Sequence, residues 1–234
     1  MYFGGMAALK DVDFDVSRKE IVGVIGPNGS GKTTLFNCVA GVYKPTSGII
    51  KFGGRKINGL KPHEICKLGI GRTFQIAMPF RGMSTLENVM VGLLFGRSGI
   101  RNKDEAEEEA VKILALIGLR EKTHFSAENL TIADLKKLEV AKALATKPYL
   151  LLLDEVMAGL NPTETLEAMD IIRRIRDEME IALVVVEHVM KVVMRISDRI
   201  VVLHHGERIA DGTPREISND KKVIDAYLGE RYVF

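Results

Sequence analysis

The densest chemistry in the chain is a single run: Gly26, Pro27, Asn28, Gly29, Ser30, Gly31, Lys32 and Thr33, with a second threonine, Thr34, directly after it. The run fits the spacing G-x-x-x-x-G-K-[ST]. A loop of this kind turns its amide hydrogens inward around phosphate oxygens, and it needs glycines because side chains would block that approach. Lys32 is expected to neutralise the β- and γ-phosphates of a nucleoside triphosphate, with the Thr33 hydroxyl on magnesium. The plain alternative is a glycine turn with an incidental lysine.

A second constellation closes the run Tyr149–Leu153 with Asp154 and Glu155. Two adjacent carboxylates at the carboxyl end of a buried strand need opposing charge, and a magnesium nucleotide provides it. Asp154 is expected to hold the metal through water, and Glu155 to polarise the attacking water as general base. The competing reading is a helix N-cap, which needs only one acceptor. Ala182–Val186 ends in the same way, at Glu187 and His188. A lone histidine is usually structural, and its place in the company of the other two motifs favours a γ-phosphate contact.

The elements that must position these groups are visible around them. Ile21–Ile25 is a β-branched run entering the glycine loop, and Thr33–Val39 reads as the helix leaving it. Tyr149–Leu153, Ala182–Val186 and Arg199–Leu203 are apolar runs without alternation, which predicts a parallel sheet covered on both faces. Glu164–Met179 carries Leu166, Met169, Ile172 and Ile175 at crossover-helix spacing. From about Ile76 to Ala145 strand runs are missing, and Ala110, Ile113, Leu114 and Ile117 form one helical stripe within Asp104–Leu119. That segment is expected to be a helical insertion. Its acidic run Asp104–Glu109 reads as a solvated face near a helix N-terminus.

Composition narrows the class further. The chain has 234 residues, 46% apolar and 27% charged, and a formal net charge of +2. That balance fits an ordinary globular protein and gives no basic field that would call for nucleic acid. Two cysteines, Cys38 and Cys66, match neither a zinc site nor a redox pair, so a reducing compartment is expected. No charged-then-apolar leader is visible, and apolar runs such as Ile181–Val186 are too short to span a bilayer. Any membrane link is expected to run through partner subunits.

The order of phosphate loop, Phe74-Gln75, helical insertion, LLLLDE and VVVEH resembles the nucleotide-binding subunits of ABC transporters along nearly the whole chain. The wording of GPNGSGKTTLFNCVAGVYKPTSG, LGIGRTFQ, FRGMSTLENVMVG, AGLNPTE and GTPREISNDKKVIDAYLGE is similar to the ATPase subunits of branched-chain amino-acid importers. The resemblance implies an ATP-hydrolysing α/β P-loop fold, with a mostly parallel sheet core, an antiparallel β portion and an inserted helical subdomain. Residues 1–75 and 146–234 would form the RecA-like core and 76–145 the subdomain. ATP and Mg2+ would be bound. The partners would be a second ATP-binding subunit, identical or related, transmembrane permease subunits at the cytoplasmic face of the membrane and, indirectly, a solute-binding protein.

By the same resemblance, Gln75 senses magnesium and water and reports to the transmembrane subunits, Asn161 falls on the D-loop, and His188 contacts the γ-phosphate. Phe3 falls where the family stacks an aromatic ring on adenine, and a core aromatic remains the other reading. The segment Ile76–Leu94, with Met78, Phe80 and Met83, is expected either to meet the membrane subunits or to pack within the subdomain.

Three departures stand out. The chain starts short of the family's usual N-terminal edge strand, and Val156 follows Glu155 where proline is usual. The signature loop, usually LSGGQ, reads Leu130-Thr131-Ile132-Ala133-Asp134. Ile132 and Ala133 add side chains where glycines let backbone approach the partner's γ-phosphate, and Asp134 is expected to add negative charge there. The altered signature leaves a weakly or non-hydrolysing ATP-gated module as one alternative, and an exporter ATPase is another, since substrate choice lies in other subunits. Soluble ABC-type ATPases usually carry two nucleotide domains or a long coiled-coil insertion, neither of which is visible here.

Overall fold

The computed structural model describes residues 1–229. Positions 230–234, which end the 146–234 segment and include the last residue of its family-like tail, lie outside the described residues. The chain divides into two compact units, one built from Met1–Ile65 and the chain from Ala182 onward, the other from Cys66–Ile181.

The first unit is organised by strand Ile21–Ile25, whose five residues are all buried. It pairs in parallel with Ala182–Val186 on one side and Arg199–His204 on the other. Burial of both faces explains why these strands read as unbroken apolar runs. Arg199–His204 then turns back antiparallel onto Glu207–Gly212. The two residues between them, His205 and Gly206, have φ of 47° and 79°. Two consecutive positive φ values give the turn whose twist matches a tight hairpin. The sheet is thus mostly parallel with an antiparallel portion, as the sequence implied. Helices Met190–Ile196, Pro214–Asn219 and Lys221–Gly229 belong to this unit, and Ile25, Val193, Ile200, Val202, Ile217 and Val223 share one apolar core.

The second unit contains two parallel strands, Ile70–Arg72 and Leu150–Asp154, in the register Ile70 to Leu150 and Arg72 to Leu152. Its helices are Thr85–Phe95, Lys103–Leu116, Ile132–Ala145 and Pro162–Met179. The helix expected to run on to Leu119 stops at Leu116. Gly118, at φ 74°, follows the Ile117 cap; its N–H donates to the Ala115 carbonyl at 3.3 Å, and Leu119 N–H donates to the Leu114 carbonyl at 2.8 Å. This pair of bonds closes the helix end through a left-handed glycine. At the other end Asn102 caps Asp104, and most of the acidic run is exposed as expected, except that Glu109 is half-buried and paired with Lys112 and Lys147.

The segment after Gln75 is held by buried polar side chains. Glu139 accepts from Met78 N–H at 3.0 Å, and Asn88 accepts from Phe80 N–H at 2.7 Å. The backbone is strapped down while Ile76, Met78 and Phe80 stay exposed.

Candidate nucleotide site

In the first unit the phosphate loop joins strand Ile21–Ile25 to helix Lys32–Val39. Gly26 has φ 151°, and a Cβ there would sit 2.0 Å from the Leu203 carbonyl oxygen, so backbone passes where no side chain fits. Gly31 is the helix N-cap at φ 104°, and no side chain caps the first turn. First-turn amides without a side-chain cap, together with the positive end of the helix dipole, suit an anion. Lys32 is 6% exposed, and its ammonium donates to the Gly26 and Pro27 carbonyls at 2.7 and 2.8 Å and reaches Ser30 Oγ at 3.5 Å. The charge is thereby held inside the loop. Gly206 N–H donates to the Ser30 carbonyl at 3.1 Å, which ties the hairpin turn to the loop. Asn28, Gly29 and Thr33 are exposed, Thr34 is half-buried, and Pro27 and Ser30 are buried.

His188 is exposed just beyond Ala182–Val186. Because that strand runs parallel to Ile21–Ile25, His188 and the phosphate loop leave the same end of neighbouring strands. Phe3 sits in the small hairpin Tyr2–Phe3 with Met6–Ala7, edge-on to Tyr43 with centroids 5.2 Å apart. At 41% exposure its ring is no core aromatic, so that reading is set aside.

In the second unit, Asp154 ends strand Leu150–Asp154 at 3% exposure, and Arg72 Nη2 donates to its Oδ2 at 3.1 Å. Asp154 N–H donates to Thr73 Oγ1 at 3.0 Å, and Thr73 N–H to the Leu152 carbonyl at 2.9 Å. Two neighbouring strands thus fix the carboxylate. Glu155 follows at φ 51°, a conformation that a proline at the next position would disfavour and Val156 allows. Gln75 Nε2 donates to Glu155 Oε2 at 2.7 Å, and Lys136 Nζ to the Glu155 carbonyl at 3.0 Å. Gln75, Asp154 and Glu155 are therefore gathered at one strand end. Asn161 caps Pro162–Met179 in a reciprocal box with Glu164.

The residues that the sequence places as the signature loop, Leu130 to Asp134, lead into helix Ile132–Ala145. Leu130 is buried, Ile132 is 70% exposed and Ala133 half-buried. Thr131 is the N-cap: its Oγ1 accepts from Asp134 N–H at 3.2 Å and donates to Asp134 Oδ2 at 2.6 Å. Asp134 does not add bare negative charge, which corrects the sequence expectation. The residue is buried, its carboxylate turned back into the cap and ion-paired with Lys122. Burial alone would push that carboxyl up, but the Lys122 ammonium and the Thr131 hydroxyl outweigh it and hold it below its ordinary value.

Sequence reasoning missed Arg72, Lys122, Lys136 and Tyr43. Each acts through a partner distant in the chain. The one local signal was the T-x-x-D spacing of Thr131 and Asp134, which is a capping pattern as well as a motif variant.

Comparison with known proteins fits this geometry. A family described as "ABC transporter" matches residues 9–158, and one described as "Branched-chain amino acid ATP-binding cassette transporter" matches residues 207–233. The high-affinity branched-chain amino acid transport ATP-binding protein LivG of Salmonella typhimurium is 43% identical, over 98% of this chain and 95% of its own. A crystal structure of an ATP-binding cassette of an ABC transporter in its ADP conformation is 30% identical, with a TM-score of 0.87 over 98% of this chain and 95% of that one. A dimeric post-hydrolysis cassette bound to ADP and Pi is 28% identical, with a TM-score of 0.81 over 90% and 92%. The chain belongs to the ATP-binding cassette family of ABC transporters, among the branched-chain amino acid transport ATP-binding proteins.

Proposed function

We propose that the chain binds and hydrolyses ATP as the energising subunit of a branched-chain amino-acid importer. The observation that carries the ATP reading is the phosphate loop, where a helix start without a side-chain cap and a buried ammonium occupy one glycine-built turn. The solute reading is carried by the likeness to LivG.

In this reading the loop amides and Lys32 meet the phosphate oxygens, and the exposed ring of Phe3 stacks on adenine. The groups that would hold a cation, the exposed Thr33 hydroxyl, the Asp154 carboxylate and the Gln75 side-chain amide, would offer it oxygen, which suits a hard ion such as Mg2+. Asp154 acts through water, consistent with a carboxylate already bonded to Arg72. Magnesium would neutralise charge on the β- and γ-oxygens. Glu155 takes the proton of the attacking water once Gln75 yields its hydrogen bond, and His188 holds the γ-phosphate.

A second copy or a close relative would complete the site with its signature helix, in keeping with the dimeric cassette among the similar structures. Closing on ATP and opening after hydrolysis would drive permease subunits, with Ile76–Leu94 as the contacting segment because Ile76, Met78, Phe80 and Met83 at its start are exposed on a strapped backbone. Residues 76–145 would act as the helical subdomain and 1–75 with 146–234 as the core. Among the described residues no helix is long and apolar enough to cross a membrane, so attachment at the cytoplasmic face would come through those subunits, with a solute-binding protein acting on them from the other side. One observation favours a second reading: the self-capped Thr131 turn suits weak hydrolysis of the nucleotide it faces.

Glu155→Gln tests the mechanism. ATP binding should stay within about twofold while turnover falls roughly 1,000-fold and an ATP-bound dimer accumulates on a sizing column. Normal turnover would show that the base is another group.

A further inference from the structure

The acidic signature turn raises a question that the family likeness does not answer: how a carboxylate can stand where a neighbouring subunit's triphosphate is expected. Asp134 is the third residue of helix Ile132–Ala145, and one of its oxygens, Oδ2, takes three donors. These are Thr131 N–H at 3.3 Å, Thr131 Oγ1 at 2.6 Å and the Lys122 ammonium. The lysine side chain keeps 37% of its surface, the aspartate side chain only 9%. The anion is therefore the shielded member of the pair, and the cation is the one that faces outward.

Lys122 does not come from a swinging loop. It closes the short turn Arg120–Lys122, where its N–H donates to the Leu119 carbonyl at 3.0 Å and its carbonyl accepts from Phe125 N–H at 3.1 Å. Leu119 is fully buried. The chain just beyond is fastened to the start of helix Thr85–Phe95. Leu86 N–H donates to the Thr123 carbonyl and Thr85 N–H to the Phe125 carbonyl, both at 2.9 Å. The ammonium is delivered from a fixed base, so the pair forms without ordering a long segment.

We propose that Lys122 is a positioning residue that cancels the charge of Asp134, and that this compensation lets an acidic signature turn approach the partner subunit's ATP. The inference rests on the reading that the turn faces that nucleotide. Two opposite charges in contact present only a weak residual field a few ångströms away, whereas an uncompensated carboxylate repels a triphosphate over the whole Debye length. The bond to Lys122 also keeps Asp134 turned toward the cap, away from the face of the helix end.

The experiment uses the transporter complex purified with its permease and partner ATPase subunits, titrated with ATP at low and high salt. Lys122→Met should raise the KM for ATP about tenfold while kcat moves less than about twofold, and roughly half a molar salt should cut the KM change to under threefold. Lys122→Arg should keep the wild-type KM. Adding Asp134→Asn to Lys122→Met should return KM to within about twofold although the ion pair stays broken, which a merely structural lysine would not do. Asp134→Asn alone should lower KM, since Lys122 then stands unopposed, and this variant keeps the idea testable if Lys122→Met fails to fold. An unchanged KM in Lys122→Met, a double variant no better than Lys122→Met, or a raised KM in Asp134→Asn would each overturn the proposal. Failure of Glu155→Gln to trap ATP in the same complex would remove the shared-nucleotide reading itself. Normal trapping with Lys122→Met kinetics equal to wild type would remove only the role of Lys122.

Discussion

Helix Lys32–Val39 begins at Gly31, which has no side chain to offer its first turn, whereas helix Ile132–Ala145 begins at Thr131, which satisfies Asp134 N–H and is bonded in return by the Asp134 carboxylate. Both helix starts point their amides outward and both carry the positive end of a dipole. What separates them is one side chain. At the first, an outside anion meets amides with no internal competitor and an ammonium already folded into the loop. At the second, the same kind of helix end is closed by its own residues, and its charge is balanced by Lys122. What a helix N-terminus offers an outside anion thus depends on what stands at its cap.

Removing the ammonium is the harshest test of the open end. Lys32→Ala deletes a buried charge that the phosphates are proposed to meet, and charge-assisted hydrogen bonds are the stronger kind. ATP affinity should fall about 100-fold in a fluorescent-nucleotide titration. An unchanged affinity would mean that the loop does not hold the triphosphate.

Gly31→Ala attacks the same end through backbone. At φ 104° a Cβ is strained, and it would lie 2.6 Å from the Ala8 carbonyl oxygen. The variant should lose about 3 kcal/mol in urea unfolding and about tenfold in ATP affinity, because the clash must shift the loop. If it keeps both, the glycine is not needed for a capless turn and the contrast between the two helix starts weakens.

Thr131→Ala probes the closed end, with a smaller effect. Loss of the cap should cost about 1 kcal/mol in the same unfolding measurement, and Thr131→Ser should restore most of it. An alanine variant as stable as wild type would show that Asp134 N–H finds another partner, and that the end is less closed than its geometry.

The two ends were not equally legible from sequence. The phosphate loop could be read because its meaning is local: four specified positions within the eight residues Gly26–Thr33, a β-branched run before them and a helical pattern after. Asp154 could be placed for the same reason, but its partner could not. Arg72 lies on a three-residue strand, Ile70–Arg72, that contains a glycine and has no alternation, and only pairing with Leu150–Asp154 brings the guanidinium to Asp154. The signature turn was read as a damaged motif with a stray negative charge, because its chemistry depends on Lys122, a residue twelve positions away held by an unrelated helix start. Local spacing reports which groups are present; the charge they present depends on contacts that only the folded chain makes.

That dependence sets the smallest expected effect, which acid unfolding should detect. Asp134 has its carboxyl held below its ordinary value of 3.8, with burial opposing and the Lys122 and Thr131 bonds prevailing. A carboxyl depressed in the folded state stabilises the fold above its unfolded value, and that contribution disappears as pH falls through the folded value. Wild type should therefore exceed Asp134→Asn by about 0.5 kcal/mol at pH 7, a modest figure because the Lys122 side is solvent-screened. The gap should close as pH drops below roughly 4, near the ordinary aspartate value. Urea midpoints at pH 7 and pH 3 are enough to read it. A gap that persists undiminished at pH 3 would assign the stabilisation to cap geometry, which asparagine reproduces imperfectly, instead of to the charge shared with Lys122, and the closed end would then be closed by hydrogen bonds alone.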